Sequence, residues 1–154
     1  MPIGWRIERA HRAASAFSGE GSRIHGGRWN SRGSRVVYVG EHQSLCALEV
    51  FVNNQPLSAS AEYIVVSAEW DATLIDSVAA AELPRDWRAS PPDERTAAVG
   101  DTWIRDARSA VLAVPSAIIP AERNFLLNPA HRDFGRIRIG KPMRFSFDPR
   151  MLHR

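Results

Sequence analysis

The longest apolar run in this chain, Ala110 to Pro120, is interrupted by Pro115 and ended by Pro120. Proline fixes φ and removes a backbone donor, so the run can supply a short buried strand, Val111 to Val114, and cannot supply a membrane span. Other apolar runs are similarly short and alternate with a period of two. Pro2 to Arg9 sets Trp5 and Ile7 against Arg6 and Glu8, and Val36 to Val39 sets Val36 and Tyr38 against Val37 and Val39. Tyr63 to Trp70 sets Tyr63, Val65 and Ser67 against Ile64, Val66 and Ala68. Thr73 to Asp76 and Ala117 to Ile119 read as further extended pieces. Ile137/Ile139 and Met143/Phe145/Phe147 alternate as two late strands joined at Gly140-Lys141-Pro142.

Helical patterns are fewer. One starts at Ser44, which would cap it, and runs to Asn53 with Leu45, Leu48 and Val52 as its buried stripe; Pro56 closes the segment. Another follows Ser90-Pro91-Pro92-Asp93, with Ser90 as cap, and buries Val99, Trp103, Ile104 and Ala107, with a kink or break expected at Gly100. His11 to Gly21 is small and polar and reads as a plain surface loop or as a weak helix over a cleft. Gly26 to Val39 reads as strand, turn, strand. The sum is an α+β chain of short strands and about three helices.

With 154 residues and no linker or internal repeat, residues 1–154 form a single domain, long enough to bury roughly two thirds of its unfolded surface. The one cysteine, Cys46, has no disulfide partner, which fits a reducing compartment; the charged N-terminus lacks the apolar core of a signal peptide. Both point to the cytoplasm. The net charge of +3 hides an asymmetry: residues 1–35 carry seven arginines against Glu8 and Glu20. A basic first quarter suits nucleic acid, an acidic protein partner or a phosphorylated small molecule.

The chemistry concentrates between Gly26 and Glu49. Two glycines let backbone approach closely, Arg28 can fork onto an anion such as a diphosphate or form an ordinary surface salt bridge, and Tyr38 is either core or ligand platform. Glu49 lies at the edge of an apolar helix face, as a solvated boundary residue or as a carboxylate offsetting a developing positive charge. Ser116 follows Val114-Pro115, where it can close a turn, and lacks the Gly-x-Ser-x-Gly surroundings of a hydrolase nucleophile. His131 is one of five scattered histidines, and with one cysteine no zinc spacing exists, so no metal site is expected. Walker-type phosphate loops and the dinucleotide Gly-x-Gly-x-x-Gly are absent, which removes ATP chemistry and ordinary hydride transfer.

The order Gly26-Gly27-Arg28-Trp29-Asn30, Val37-Tyr38-Val39, Ala47-Leu48-Glu49, Val114-Pro115-Ser116-Ala117 and Asn124-Phe125-Leu126-Leu127-Asn128-Pro129-Ala130-His131 resembles the RES-domain family, the toxin halves of bacterial RES–Xre toxin–antitoxin pairs. The resemblance runs from Trp5-Arg6 to Asp148-Pro149-Arg150. It implies a fold similar to ADP-ribosyltransferases, a split and mostly antiparallel sheet around an NAD cleft, and cleavage of the nicotinamide–ribose bond. In that scheme Arg28 holds the diphosphate, Tyr38 packs on the nicotinamide ring, Glu49 lies near the ribose and Ser116 hydrogen-bonds the nicotinamide end or the ribose. Trp29, Asn30, Asn124, Asn128 and His131 join them as NAD contacts.

NAD is implied as substrate, without a metal. An Xre-type DNA-binding antitoxin is implied as partner, with room for a homodimer inside the toxin–antitoxin complex. The acceptor stays open: water makes a glycohydrolase, phosphate a phosphorylase and a protein side chain an ADP-ribosyltransferase. Two other classes compete, an RNA-binding or RNA-cleaving toxin and a non-catalytic nucleotide-binding module. Aromatics at core-like periodicity weigh against the first, and a module that only binds has no need of Glu49.

Overall fold

The computed structural model describes residues 1–152. Its strands are β1 (Ile3–Arg9), β2 (Val37–Gly40), β3 (Tyr63–Glu69), β4 (Ile75–Ser77), β5 (Val111–Pro115), β6 (Arg123–Leu127), β7 (Arg138–Ile139) and β8 (Met143–Phe145). Its α-helices are α1 (Glu20–His25), α2 (Gln43–Asn53) and α3 (Glu94–Arg105). The strands form one sheet in the order β4-β5-β6-β2-β1-β3-β7, with β8 also on the outer edge of β3. Every pairing is antiparallel except β4 with β5. The chain is therefore α+β with a mostly antiparallel sheet.

The sheet is split in the middle. β1 pairs with β3 along its whole length, from Ile3↔Glu69 to Arg9↔Tyr63, but meets β2 at a single position, Trp5↔Gly40. Beyond Trp5 the two strands diverge, and side chains replace the missing ladder. Arg6 Nη1 donates to the Tyr38 carbonyl at 3.0 Å, and the Ile7 amide donates to Cys46 Sγ at 3.2 Å. A buried backbone amide left unpaired would cost free energy, so the thiol takes the place of a strand partner. Burial pushes the Cys46 pKa up to about 11, which keeps the thiol neutral.

Alternation in β2, β5 and β6 fills both faces of that half of the sheet. Val37, Val39, Val111, Ala113, Phe125 and Leu127 pack with Trp70 on one side. Val36, Leu112, Val114 and Leu126 pack on the other with Trp29, Trp87 and Trp103, and Tyr38 lies against this second cluster. The two faces read from the sequence for Val36–Val39 are the observed ones. A third cluster joins Ile7, Cys46, Tyr63, Val65 and Phe147 under α2.

Several expectations are corrected. The Gly26–Val39 segment has no strand ahead of β2: Gly26–Arg32 is a tight turn closed by a Gly27↔Asn30 bridge, and Gly26 takes φ 71°, a region open to glycine. Ala117–Ile119 is not a strand. Of the two readings of His11–Gly21 the weak helix holds, with a 3-10 segment at Ala10–Ser15 and α1 opening at Glu20. In α2 the buried residues are Leu45 and Cys46, whereas Val52 is 54% exposed on the cleft rim. That helix starts after His42 without a Ser44 cap. α3 is capped by Asp93, whose carboxylate accepts from the Arg95 amide at 2.8 Å, rather than by Ser90. It runs unbroken through Gly100 and buries Thr96, Ala97, Gly100 and Trp103, while Ala107 is exposed beyond its end.

Candidate active site

The split between β1 and β2 opens a cleft of about 1150 Å³, walled by β1, α1, the Gly26–Arg32 turn, β2, α2 and Asn124. Its volume is somewhat above the usual range of small-molecule sites, large enough for an elongated ligand. Arg6, Arg12, Arg28 and Arg32 line it, with Glu8, Glu49 and Glu94.

Arg28 sits at the tip of the turn. Its Nη1 donates to the carbonyls of Trp87 at 2.9 Å and Ala89 at 2.8 Å. Among the described residues its Nε and Nη2 make no hydrogen bond, so one side of the guanidinium is anchored while two donors are left for a ligand. Burial lowers its pKa and the charge of Glu49 opposes that shift. The surface salt-bridge reading fails, because no carboxylate lies within ion-pairing distance of Arg28 among the described residues.

Tyr38 projects from β2 beneath the turn. Its hydroxyl donates to Asn30 Oδ1 at 2.5 Å and accepts from the Trp29 amide at 3.2 Å. Burial raises the phenol pKa, so the hydroxyl stays protonated. Its polar capacity is spent on protein, and the ring is what it offers the cleft.

Glu49 rises from the second turn of α2, half-buried in the cleft lining. Ser116 Oγ donates to Glu49 Oε1 at 3.3 Å. Burial raises the Glu49 pKa; the Ser116 hydrogen bond, the charge of Arg28 and the Asn124 side chain act in the opposite direction. Ser116 itself is fully buried at the end of β5, with Oγ accepting from the amides of Ile118 and Ile119, each at 3.1 Å. Both acceptor sites of the hydroxyl are filled, so its only proton points at Glu49. Ser116 therefore positions the carboxylate and does not line the cleft.

Asn124 on β6 faces the cleft beside Glu49. Trp29 is 2% exposed and its ring packs on Trp87 with centroids 6.1 Å apart, which turns it into the core. Asn128 and His131 lie away from the cleft. Asn128 Oδ1 accepts from the Ala130 amide at 3.0 Å; His131 Nδ1 accepts from the Asp133 amide at 3.0 Å, which leaves Nε2–H to donate to the Ala107 carbonyl at 3.1 Å. Both fold the loop after β6.

Two features of the site carry little sequence signal. Arg6 reads as the polar face of a strand, yet it bridges the split. The anchoring of Arg28 uses backbone carbonyls, for which no residue type is diagnostic. Gly100, expected to kink or break α3, instead lets the turn seat on that helix, since a Cβ there would overlap the Trp29 carbonyl. Asp101 completes the seat by accepting from the Ser31 amide at 2.8 Å and the Ser31 hydroxyl at 2.6 Å.

The cleft thus gathers an anchored cationic fork, a half-buried carboxylate and an aromatic ring in its lining. The RES domain profile matches residues 3–148. The chain belongs to the RES domain family. This RES domain is 34% identical over 148 residues to "Toxin Res" of Yersinia enterocolitica, covering 96% of this chain and 97% of that one. It is 36% identical over 151 residues to "Toxin Res" of Photorhabdus laumondii, covering 97% of each. It is also 36% identical over 156 residues to the "Prs ADP-ribosylating toxin" of a Sphingobium species, covering 97% of this chain and 96% of that one. Its fold is that of a chain in the crystal structure of the M. tuberculosis MbcT-MbcA toxin-antitoxin complex, with a TM-score of 0.76 at 20% identity, over 94% of this chain and 84% of the other. Among the described residues no three His, Cys, Asp or Glu side chains gather as metal ligands would, and no helix is long and apolar enough to cross a membrane.

Proposed function

We propose that this RES domain is the toxin of a toxin–antitoxin pair and that it consumes NAD by breaking the nicotinamide–ribose bond in the cytoplasm. The observation that carries the reading is the Glu49 carboxylate, held by Ser116 in a cleft that Arg28 also lines. NAD matches that charge arrangement, with an anionic diphosphate for Arg28 and a cationic nicotinamide–ribose end for Glu49.

Nicotinamide is already a cationic leaving group, so the C1′–N bond can break with both electrons returning to the ring, which departs neutral. The positive charge then resides on the ribosyl C1′ and ring oxygen, where the Glu49 carboxylate offsets it. The Tyr38 ring packs against the nicotinamide, and Arg28 with Asn124 fixes the rest of the substrate. An acceptor oxygen adds at C1′ and loses its proton to solvent. Water gives a glycohydrolase and inorganic phosphate a phosphorylase. The 36% identity to a protein called an ADP-ribosylating toxin favours a second reading, transfer of ADP-ribose to a protein side chain. The cognate antitoxin in either case is an Xre-type DNA-binding protein.

The test is incubation of purified protein with NAD, with and without phosphate, beside an RNA control. Release of free nicotinamide supports the proposal, and the mass of the other product names the acceptor. Intact NAD with cleaved RNA overturns it.

A further inference from the structure

Asn30 is 1% exposed, and every polar atom of its side chain is committed to the protein. Nδ2 donates to the carbonyls of Ser22 and Ser31 at 3.1 Å and of Ser34 at 3.2 Å, while Oδ1 accepts the Tyr38 hydroxyl at 2.5 Å. Both donor hydrogens are taken, and the carbonyl oxygen that accepts from Tyr38 is buried with the rest of the side chain, so the amide is turned to the protein. Its main chain closes the turn as well: the Gly27 amide donates to the Asn30 carbonyl at 2.9 Å. A Cβ on Gly27 would lie 2.6 Å from the Tyr38 hydroxyl and 3.1 Å from Asn30 Oδ1, so the arrangement also requires glycine at that position.

Asn30 therefore joins α1 through Ser22, the Ser31–Ser34 loop, β2 through Tyr38 and the turn that carries Arg28. Tyr38 completes the ring of contacts by accepting the Trp29 amide next to Arg28. We infer that Asn30 is a positioning residue that holds Arg28 and the Tyr38 ring in one fixed relation, and that the Tyr38 hydroxyl is a structural clasp for the Arg28 turn rather than a contact to substrate. The inference rests on the NAD reading only for its kinetic consequence; the clasp itself is a property of the free protein.

The test has a structural arm and a kinetic arm. Asn30→Asp keeps the Oδ1 acceptor and turns the Nδ2 donor into an oxygen facing three carbonyls, so the turn should loosen. Tyr38→Phe keeps the ring and removes the clasp, and serves if Asn30→Asp does not fold. In both variants hydrogen exchange of the Trp29 amide should accelerate, while amides in β5 and β6 should not change. The chain has two tyrosines, so a tyrosine-labelled carbon NMR spectrum is simple, and the Tyr38 resonance should move in Asn30→Asp while that of Tyr63 does not. Kinetically, a displacement of the order of 1 Å should cost about 10²-fold in kcat/KM, and the double variant should lose no more than the worse single variant. Unchanged Trp29 exchange, or fully additive kinetic losses, would overturn the inference. Wild-type protein that leaves NAD intact would instead refute the proposed function, and the exchange and NMR arms would still decide the clasp.

Discussion

Ser116 Oγ donates to Glu49 Oε1 across 3.3 Å while its own acceptor sites are filled by the Ile118 and Ile119 amides. The serine hydroxyl thus has one orientation, and it stabilises Glu49 in the ionised form. Removing it with Ser116→Ala should raise the Glu49 pKa further, because one of the influences lowering it is lost. If the carboxylate is the active form, the acid limb of the kcat/KM profile moves to higher pH. An unmoved limb in a folded, less active variant would mean that Ser116 acts elsewhere.

Glu49→Gln keeps the shape of the side chain and removes the charge. Loss of charge stabilisation at the ribosyl centre should lower turnover by about 10²-fold or more, roughly 3 kcal/mol. Nicotinamide release under single-turnover conditions measures it. Near-normal release from folded protein would remove Glu49 from the chemistry.

The same substitution has a stability signature. Burial raises the folded-state pKa of Glu49 above its unfolded value, so the folded protein holds that proton more tightly. The associated stability is full below the unfolded pKa and is lost as pH rises through the folded pKa, where ionised Glu49 becomes a cost. Glu49→Gln should therefore raise the melting temperature at neutral pH relative to wild type, with the difference shrinking on acidification. Thermal unfolding across that pH window is the measurement, and a difference that grows in acid would contradict it.

Arg28→Lys retains the charge but loses the planar fork that is anchored on Trp87 and Ala89 while leaving Nε and Nη2 available. The expected defect is a higher KM for NAD with a smaller change in kcat. Steady-state kinetics decide, and an unchanged KM would return Arg28 to a structural role.

Gly100→Ala places a methyl group into the Trp29 carbonyl, so either α3 or the turn must move. Overpacking of this kind costs about 1–3 kcal/mol. Because the displaced turn carries Arg28, the KM for NAD should rise together with the loss of stability. Denaturant unfolding and kinetics on the same preparation test the coupling.

Arg6, Arg12, Arg28 and Arg32 line one cleft, which suits an antitoxin segment bearing carboxylates. Such a segment and NAD should compete, and the competition should weaken with salt. Titration of antitoxin against toxin, with and without a non-hydrolysable NAD analogue at two salt concentrations, distinguishes this from a ternary complex, which would indicate inhibition at a distance.

Sequence by itself determined the local features. Alternation defined the faces of β2 and β3, prolines limited strand length, and Arg28, Tyr38 and Glu49 stood out because guanidinium, phenol and carboxylate have particular chemistry and occur in a family order. Those choices depend on neighbours a few residues away, which is why they were legible. Tertiary structure alone decided the rest. Whether Ser116 faces ligand or Glu49 depends on two amides in a turn and on a helix 67 positions away. The Trp29 ring was turned into the core by Trp87, and Asn128 and His131 were drawn into a loop by backbone groups no pattern marks. Gly100 looked like a helix breaker because a local rule prices its entropy. Its role is to admit the carbonyl of Trp29, a contact between segments 71 positions apart that exists only once the chain has folded.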